Sequence, residues 1–153
     1  MENRNFTNVT VLTPDGKENI LDNIGPDARK DIEWVVIENI IYGFKFALHK
    51  KELMDDQNYF ASKIAAKRDG GDCRLGNRFE WISIYNAIHT VGLNNVLKEI
   101  GGDPIDWKWY WTEEMDEDQS NAAHAWVFYG AYGSLSTSHA RCGSLASRVL
   151  RAL

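Results

Sequence analysis

Few side chains in this chain of 153 residues are equipped for chemistry. Cys73 lies beside Arg74 and Cys142 beside Arg141, and these two cysteines are the only candidates for a reactive thiol. A reactive thiolate needs a lowered pKa in an electropositive, accessible pocket, and a neighbouring arginine is one sign of that. Adjacency in sequence does not make a pocket, so the default reading is two small packing thiols. They are too few for a disulfide framework, and their separation matches no zinc-finger spacing. His124 and His139 are read as exposed or hydrogen-bonded side chains, not as metal ligands. The acidic run Glu113 to Asp118 is read as a solvated loop, and its spacing is not that of an EF-hand. Hence neither a catalytic residue nor a metal or other cofactor is expected.

The totals describe a folded chain. A hydrophobic content of 44% and an aromatic content of 12% are those of a globule with one sizeable core. A net charge of -5 argues against general binding to a phosphate backbone, so no nucleic-acid partner is expected. Locally the end of the chain is basic, through Arg141, Arg148 and Arg151. No apolar run is long enough for a membrane span. The opening, Met1 to Asn8, is polar without a charged-then-apolar pattern, so export by the usual signal is not encoded there. A virion-associated or a cytoplasmic protein fits, as does one exported by a route not encoded here, and localisation stays open.

The elements that would position these residues follow from pattern. Asn8 to Leu12 alternates and ends in the turn signal Thr13, Pro14, Asp15, Gly16, which predicts a short first strand. Trp34 to Glu38 reads as a strand turning at Tyr42 and Gly43 into Phe44 to Leu48, with a helix over Ile32 to Ile41 as the alternative. A helix capped by Asp55 or Asp56 is predicted to bury Tyr59, Phe60, Ile64 and Ala65 before Gly70 and Gly71 stop it. A second helix from Arg78 is predicted to bury Phe79, Ile82, Tyr85, Ile88, Val96, Leu97 and Ile100, with Gly92 as an interruption. Short aromatic strands follow at Trp109 to Thr112, Ala125 to Tyr129 and Arg148 to Leu153, with a turn near Gly133. Helices followed by a strand-rich end imply an α+β domain with two helices beside a small antiparallel sheet. No repeat or linker marks a boundary, so residues 1–153 are read as a single domain.

The run from Val127 to Ser147 has a vocabulary of its own. No acidic residue follows Asp118, and lysine, glutamine, methionine and tryptophan are absent after Trp126. Small hydroxyl residues, glycine and tyrosine are what an adaptable contact surface uses. The scaffold is therefore expected to present this segment. Alternation along Ala125 to Tyr129 puts Trp126 and Phe128 on a core face and Val127 and Tyr129 outward. Tyr132, Ser134, Ser136, Ser138, His139, Cys142, Ser144 and Ser147 are expected to join Val127 and Tyr129 as ligand-binding positions. Trp109, Trp111, Trp126, Arg148 and Arg151 are read as scaffold, with the arginines meeting Glu113, Glu114 or Asp116.

Several marks carry a resemblance. Tyr59, Phe60 and Ala61, then Gly70 to Leu75, then Glu80 and Trp81 resemble a segment in which a glycine loop and an arginine-leucine pair lead into a glutamate-tryptophan helix. Tyr110 to Glu114 resembles a tyrosine-tryptophan-threonine strand with a following glutamate. Ala125, Trp126 and Phe128 resemble an alanine-tryptophan strand, and Leu150 to Leu153 a closing strand. In this order they resemble the formylglycine-generating-enzyme-like branch of the C-type lectin fold, over roughly Phe44 to Leu153. One departure is Gly76 and Asn77, where that branch usually has proline and threonine. Within it, the tail resembles that of variable proteins of diversity-generating retroelements, which include phage tropism determinants.

The resemblance implies a C-type lectin-like fold with a long C-terminal loop-and-strand region and a variable tail at about residues 127–147. In such variable proteins randomised adenines scatter asparagine codons over a residue set that excludes lysine, glutamate, glutamine, methionine and tryptophan. All five are absent after Trp126. The implied function is ligand binding without catalysis, the partner being a protein or glycan on a cell surface, with oligomerisation open. The alternative is a fixed structural or assembly protein of a phage or prophage. An enzyme of the formylglycine-generating kind is the weaker alternative, because it would need Cys73 or Cys142 in a redox-active site.

Overall fold

A computed structural model of the chain describes residues 4–117 and 123–153. In chain order the elements are β1 (Thr7–Leu12), β2 (Glu18–Asn19), α1 (Pro26–Arg29), β3 (Trp34–Asn39), β4 (Phe44–Gln57), α2 (Tyr59–Ala66) and β5 (Cys73–Arg74). They continue with α3 (Arg78–Thr90), α4 (Leu93–Glu99), β6 (Trp109–Met115), β7 (His124–Tyr129), β8 (Ser134–His139) and β9 (Leu145–Ala152). The protein is thus mixed α+β, with nine strands and four α-helices among the described residues.

Two compact units form from interleaved segments. The first gathers the chain up to Lys51 with Ser83–Pro104 and Arg151–Leu153, and the second gathers Glu52–Ile82 with Ile105–Leu150. Neither unit is continuous in sequence, so no linker composition marks the division.

In the first unit β1 pairs antiparallel with β2 and β3, and β3 with β4. The β3 to β4 turn is built by one side chain. Asn39 is buried, and its Oδ1 accepts from the N–H groups of Ile41 and Tyr42 while its Nδ2 donates to Ser83 Oγ at 3.0 Å. Val11, Val35, Ile37, Phe46 and Leu48 on the strands and Ile84, Ala87, Leu93, Leu97 and Ile100 on and after the helices are buried apolar residues of this unit. Gly92, at φ +71, lets the chain pass from α3 into α4, a left-handed conformation that L side chains rarely adopt.

In the second unit the strand order is β9-β6-β7-β8, with β5 paired to β9. β6 and β7 are antiparallel, as are β7 and β8, whereas Tyr110 pairs with Ala146 in a parallel bridge between β6 and β9. The expectation of a purely antiparallel sheet is corrected by that bridge. At the centre Trp81 stacks on Tyr110 at 5.0 Å and on Phe128 at 5.1 Å, all three fully buried. Such pairs contribute beyond the area they bury.

The start of α3 holds Trp81 in place. Asn77 Oδ1 accepts from Glu80 N–H and Glu80 Oε1 from Asn77 N–H, a reciprocal capping box. Arg74 forks onto both Glu80 oxygens at 2.6 and 2.8 Å, and that bond holds its guanidinium above the usual range. Gly76 sits where a Cβ would lie 2.8 Å from Leu150 Cδ2 and 3.1 Å from Trp81 Nε1, so the loop has no room for a side chain. That packing gives the glycine in the departing loop a physical reason.

Several pattern-based expectations are corrected. α2 is capped by Asn58, whose Oδ1 accepts from Ala61 N–H at 2.8 Å, because Asp55 and Asp56 belong to the long strand β4. Its buried residues are Tyr59, Ser62, Ala65 and Ala66, while Phe60 and Ile64 are exposed. On α3 Phe79 and Ile82 are exposed, and Trp81, Ile84 and Ala87 are buried instead. Apolar residues occur all round both helices, so spacing alone did not choose the face. β8 was not foreseen as a strand, because serine and threonine are poor periodicity markers.

The Trp81 stack gives two expected outcomes. Trp81→Ala should lower the unfolding free energy by about 3–5 kcal/mol in a denaturant titration, the range for large aromatics removed from a core; a loss below about 1 kcal/mol would contradict this packing. Burial pushes the Tyr110 phenol up to about 12, against the opposing pull of the Asp106 N–H. The folded state therefore holds that proton more tightly than the unfolded chain. Its stabilising effect is complete below about 10 and lost as pH rises towards 12. Ultraviolet titration of the phenols should show one late component, absent in Tyr110→Phe, and a single common midpoint for every tyrosine would refute the assignment.

Candidate functional site

Because Tyr110 and Phe128 face Trp81, strand alternation sends Trp109, Trp111, Val127 and Tyr129 to the other side of β6 and β7. The ladder then aligns cross-strand rows on that side. Trp109 pairs with Tyr129 and Tyr129 with Ser134; Trp111 pairs with Val127 and Val127 with Ser136; Ala125 pairs with Ser138. Aromatic and apolar groups on β6 and β7 thus run out into a stripe of small hydroxyls on β8. Tyr129 stacks on Trp109 at 4.8 Å and meets Tyr132 at 5.6 Å, and Tyr132 is 75% exposed at the hairpin tip.

One part of this face is covered. After β8 the chain turns at 140–143, where Gly143 N–H donates to the His139 carbonyl at 2.8 Å and the Ala140 carbonyl accepts from Tyr59 N–H at 3.0 Å. Ser144 Oγ donates to Asp56 Oδ1 at 2.6 Å. A Cβ on Gly143 would lie 2.8 Å from Trp111 Cη2, so this turn lies directly against Trp111. Trp111 also meets the Tyr59 ring at 5.8 Å and donates its indole N–H to the Gln57 carbonyl. Beyond the covered part, a pocket of about 180 Å³ is lined by Trp109, Val127, Ser136, Thr137, Ser138 and Leu145.

The expected positions therefore divide. Tyr132, Ser134, Ser136, Cys142 and Ser144 are exposed, and Tyr129, Ser138 and His139 are half-buried. Val127 and Ser147 are corrected from outward to buried. Val127 is the cross-strand partner of Trp111 and lies at the base of the pocket lined by Trp109, Ser136 and Leu145, which alternation within one strand does not reveal. Ser147 lies in β9, which starts at Leu145 and is buried from Ala146 to Leu150, so it is not part of a loop. Trp126, expected in the core, is half-buried under the Arg78 guanidinium at 4.4 Å. Trp109, expected as scaffold, lines the pocket with Leu145; the cross-strand pairing of Trp109 with Tyr129 was the signal that would have found it.

Of the carboxylates expected around the tail arginines, Glu113 and Glu114 are engaged with other cations. Glu113 pairs with Lys63 at 3.6 Å and accepts from Leu75 N–H, and Glu114 pairs with Arg78 at 3.2 Å. Arg151 lies over the Trp34 ring in the first unit, and Arg148 is fully buried. The carboxylates border a second cleft, of about 560 Å³, with Tyr59, Lys63, Arg78, Met115 and Trp126. Burial pushes the Tyr59 phenol up, and its O–H donates to the Glu113 carbonyl at 2.7 Å. Lys63 is pulled down by burial but ends above its usual value through Tyr59 and Glu113. Asp116 and Glu117 line the cleft too, so its four carboxylates outnumber the two cations Lys63 and Arg78. Asp118, the last of the expected acidic run, lies outside the described residues.

Cys73 is buried and Cys142 exposed, and neither forms a disulfide. The His139 ring accepts on Nδ1 from the N–H groups of Arg141 and Cys142 at 3.3 Å each and meets His124 edge-on at 5.4 Å. Among the described residues no group of three or more histidine, cysteine or acidic side chains is placed to hold a metal ion. Among the described residues no helix is long and apolar enough to cross a membrane.

No model of a known protein family matches the chain, and no curated protein matches it.

The burial pattern sets out a tolerance test. Tyr132→Ala, Ser134→Ala and Ser136→Ala should each change stability by no more than about 0.5 kcal/mol, as exposed substitutions do. Val127→Ala should cost about 2 kcal/mol through lost burial and the cavity left behind. Thermal and urea melts of the four variants read this directly, and equal losses at Ser136 and Val127 would contradict the division.

Proposed function

We propose that this chain is a variable ligand-binding protein of the C-type lectin fold, which displays the exposed part of residues 127–147 to a protein or glycan on a cell surface. Binding proceeds without catalysis or cofactor. The observation that carries the reading is the coincidence of composition with position. The segment that lacks lysine, glutamate, glutamine, methionine and tryptophan is also the one whose Tyr132, Ser134, Ser136, Cys142 and Ser144 stand exposed. Their ladder is backbone to backbone, so side chains there change without breaking the hairpin. Tyr129 and Tyr132 supply rigid aromatic area, and the serines adapt around them.

Diversification accounts for the vocabulary, and the burial of Val127 and Ser147 restricts which positions tolerate it to the exposed set. Sequencing the surrounding DNA and sister copies tests the proposal. A reverse-transcriptase gene and a near-copy of the tail's coding sequence, differing almost only at adenines, are expected nearby. Substitutions among sister copies should concentrate at Tyr132, Ser134, Ser136 and Ser144 while Trp81, Trp111 and Phe128 stay constant. Differences spread evenly along the chain would count against it, and a tail buried in a self-interface by sizing and interface mapping would favour the assembly alternative.

A further inference from the structure

Edge strands usually carry devices that keep other chains from pairing with them, such as charged side chains, proline, bulges or a covering element. Among the described residues β8 carries no charged side chain, proline or bulge of that kind. Its six residues include no lysine, arginine, acid or proline, and its register against β7 runs unbroken from His124↔His139 to Tyr129↔Ser134. Among the described residues no strand lies on its other side. The ladder also decides which groups point outward. Ala140 N–H donates to the Ala123 carbonyl, so Ser138, Ser136 and Ser134 are the residues that exchange bonds with β7. Leu135 and Thr137 alternate with them and turn their N–H and C=O groups away from the sheet.

We infer that β8 is a docking edge for an extended peptide of a partner protein, which pairs with Leu135 and Thr137 and seats one large apolar side chain in the pocket between Trp109, Val127 and Leu145. This rests on the tail surface proposed above and narrows its ligand to a peptide strand. The pocket, of about 180 Å³, borders β8 through Ser136, Thr137 and Ser138. A cavity of about 150 Å³ accepts a benzene ring. A residue opposite Ser136 on an incoming strand projects on the pocket side, and strands lie only about 4.8 Å apart. Serine leaves the way open for a leucine or phenylalanine to lean across it to Val127. Main-chain bonds then supply affinity and the pocket supplies selectivity.

Charge narrows the partner further. Arg141 follows β8, is exposed and makes no ion pair among the described residues. A carboxylate near the end of the peptide that passes the 140–143 turn matches it. A second copy of this chain fits less well. Paired β8 strands present only Ser134, Ser136 and Ser138 on the pocket side, and no serine fills the pocket. A six-residue edge by itself also falls short of the ~1,000 Å² that a stable interface buries.

The test selects short linear peptides from a random display library on the full chain and measures the best synthetic peptide by fluorescence anisotropy. Enriched peptides should share one leucine, methionine or phenylalanine flanked by β-branched residues. N-methylation of the peptide amide that pairs with the edge should weaken binding by about tenfold or more, and Thr137→Pro should do the same. Thr137→Pro removes an outward N–H that no ladder bond uses, so the melting temperature should hold. If that variant unfolds, N-methylation carries the test, since it leaves the protein unchanged.

A peptide that tolerates both changes but loses affinity with Tyr129→Ala and Tyr132→Ala overturns edge pairing and leaves the tail as the binding surface. Binding unmoved by all four changes overturns both readings. Failure to enrich any peptide overturns the peptide assignment alone. A dimer in sedimentation that Thr137→Pro dissolves assigns the edge to a second copy and overturns the proposal as well.

Discussion

The second unit depends on the sandwich of Trp81 between Tyr110 and Phe128. Three large rings fully removed from water are a major apolar contribution, and their stacking is directional as well as hydrophobic. Once Tyr110 and Phe128 are committed to Trp81, alternation leaves no choice for Trp109, Val127 and Tyr129: they lie on the opposite side of the ladder. A register slip by one residue would expose the two core rings and bury the serines of β8. The position of the candidate surface is therefore a consequence of where one helical tryptophan inserts.

Polar contacts around that insertion set its geometry. Glu80 is buried and serves two tasks, closing the capping box with Asn77 and receiving the Arg74 fork. A half-satisfied carboxylate at that depth would be costly, so the three groups act as one device. Gly76 keeps the preceding loop close enough to Leu150 and Trp81 for this to work. Across the sheet the turn at 140–143 is held by Tyr59 N–H and, through Ser144, by Asp56, and it lies against Trp111 while Ser134 and Ser136 stay open. Rigid support below and small side chains above suit a surface whose contacts are to be made by a ligand.

Much of this was readable in residue types. The hairpin of β3 and β4 followed from a β-branched run and a glycine turn, and β6 and β7 from short aromatic segments. The segment of small hydroxyls and tyrosines was visible as a change of vocabulary after Trp126. Helix faces were less legible, since Phe79, Trp81 and Ile82 are adjacent apolar residues and spacing does not rank them. Shape does, because a single tryptophan fits between Tyr110 and Phe128 and turns Phe79 outward. Ser147 was misplaced for a related reason: β9 is buried along most of its length, so polarity did not mark a loop.

Composition and local periodicity determined several of the elements, the α+β class and the stretch set apart at the end of the chain, because turn chemistry, strand propensity and residue vocabulary act over a few neighbours. Which side of that stretch meets solvent, the pocket between Trp109, Val127 and Leu145, and the free edge of β8 were decided only by tertiary structure. Those features arise from pairing and covering by segments far away in the chain, such as Tyr59 against Ala140 and Trp81 against Phe128. Long-range contacts carry no mark in local sequence, because the same serine is exposed at 136 and fully buried at 147.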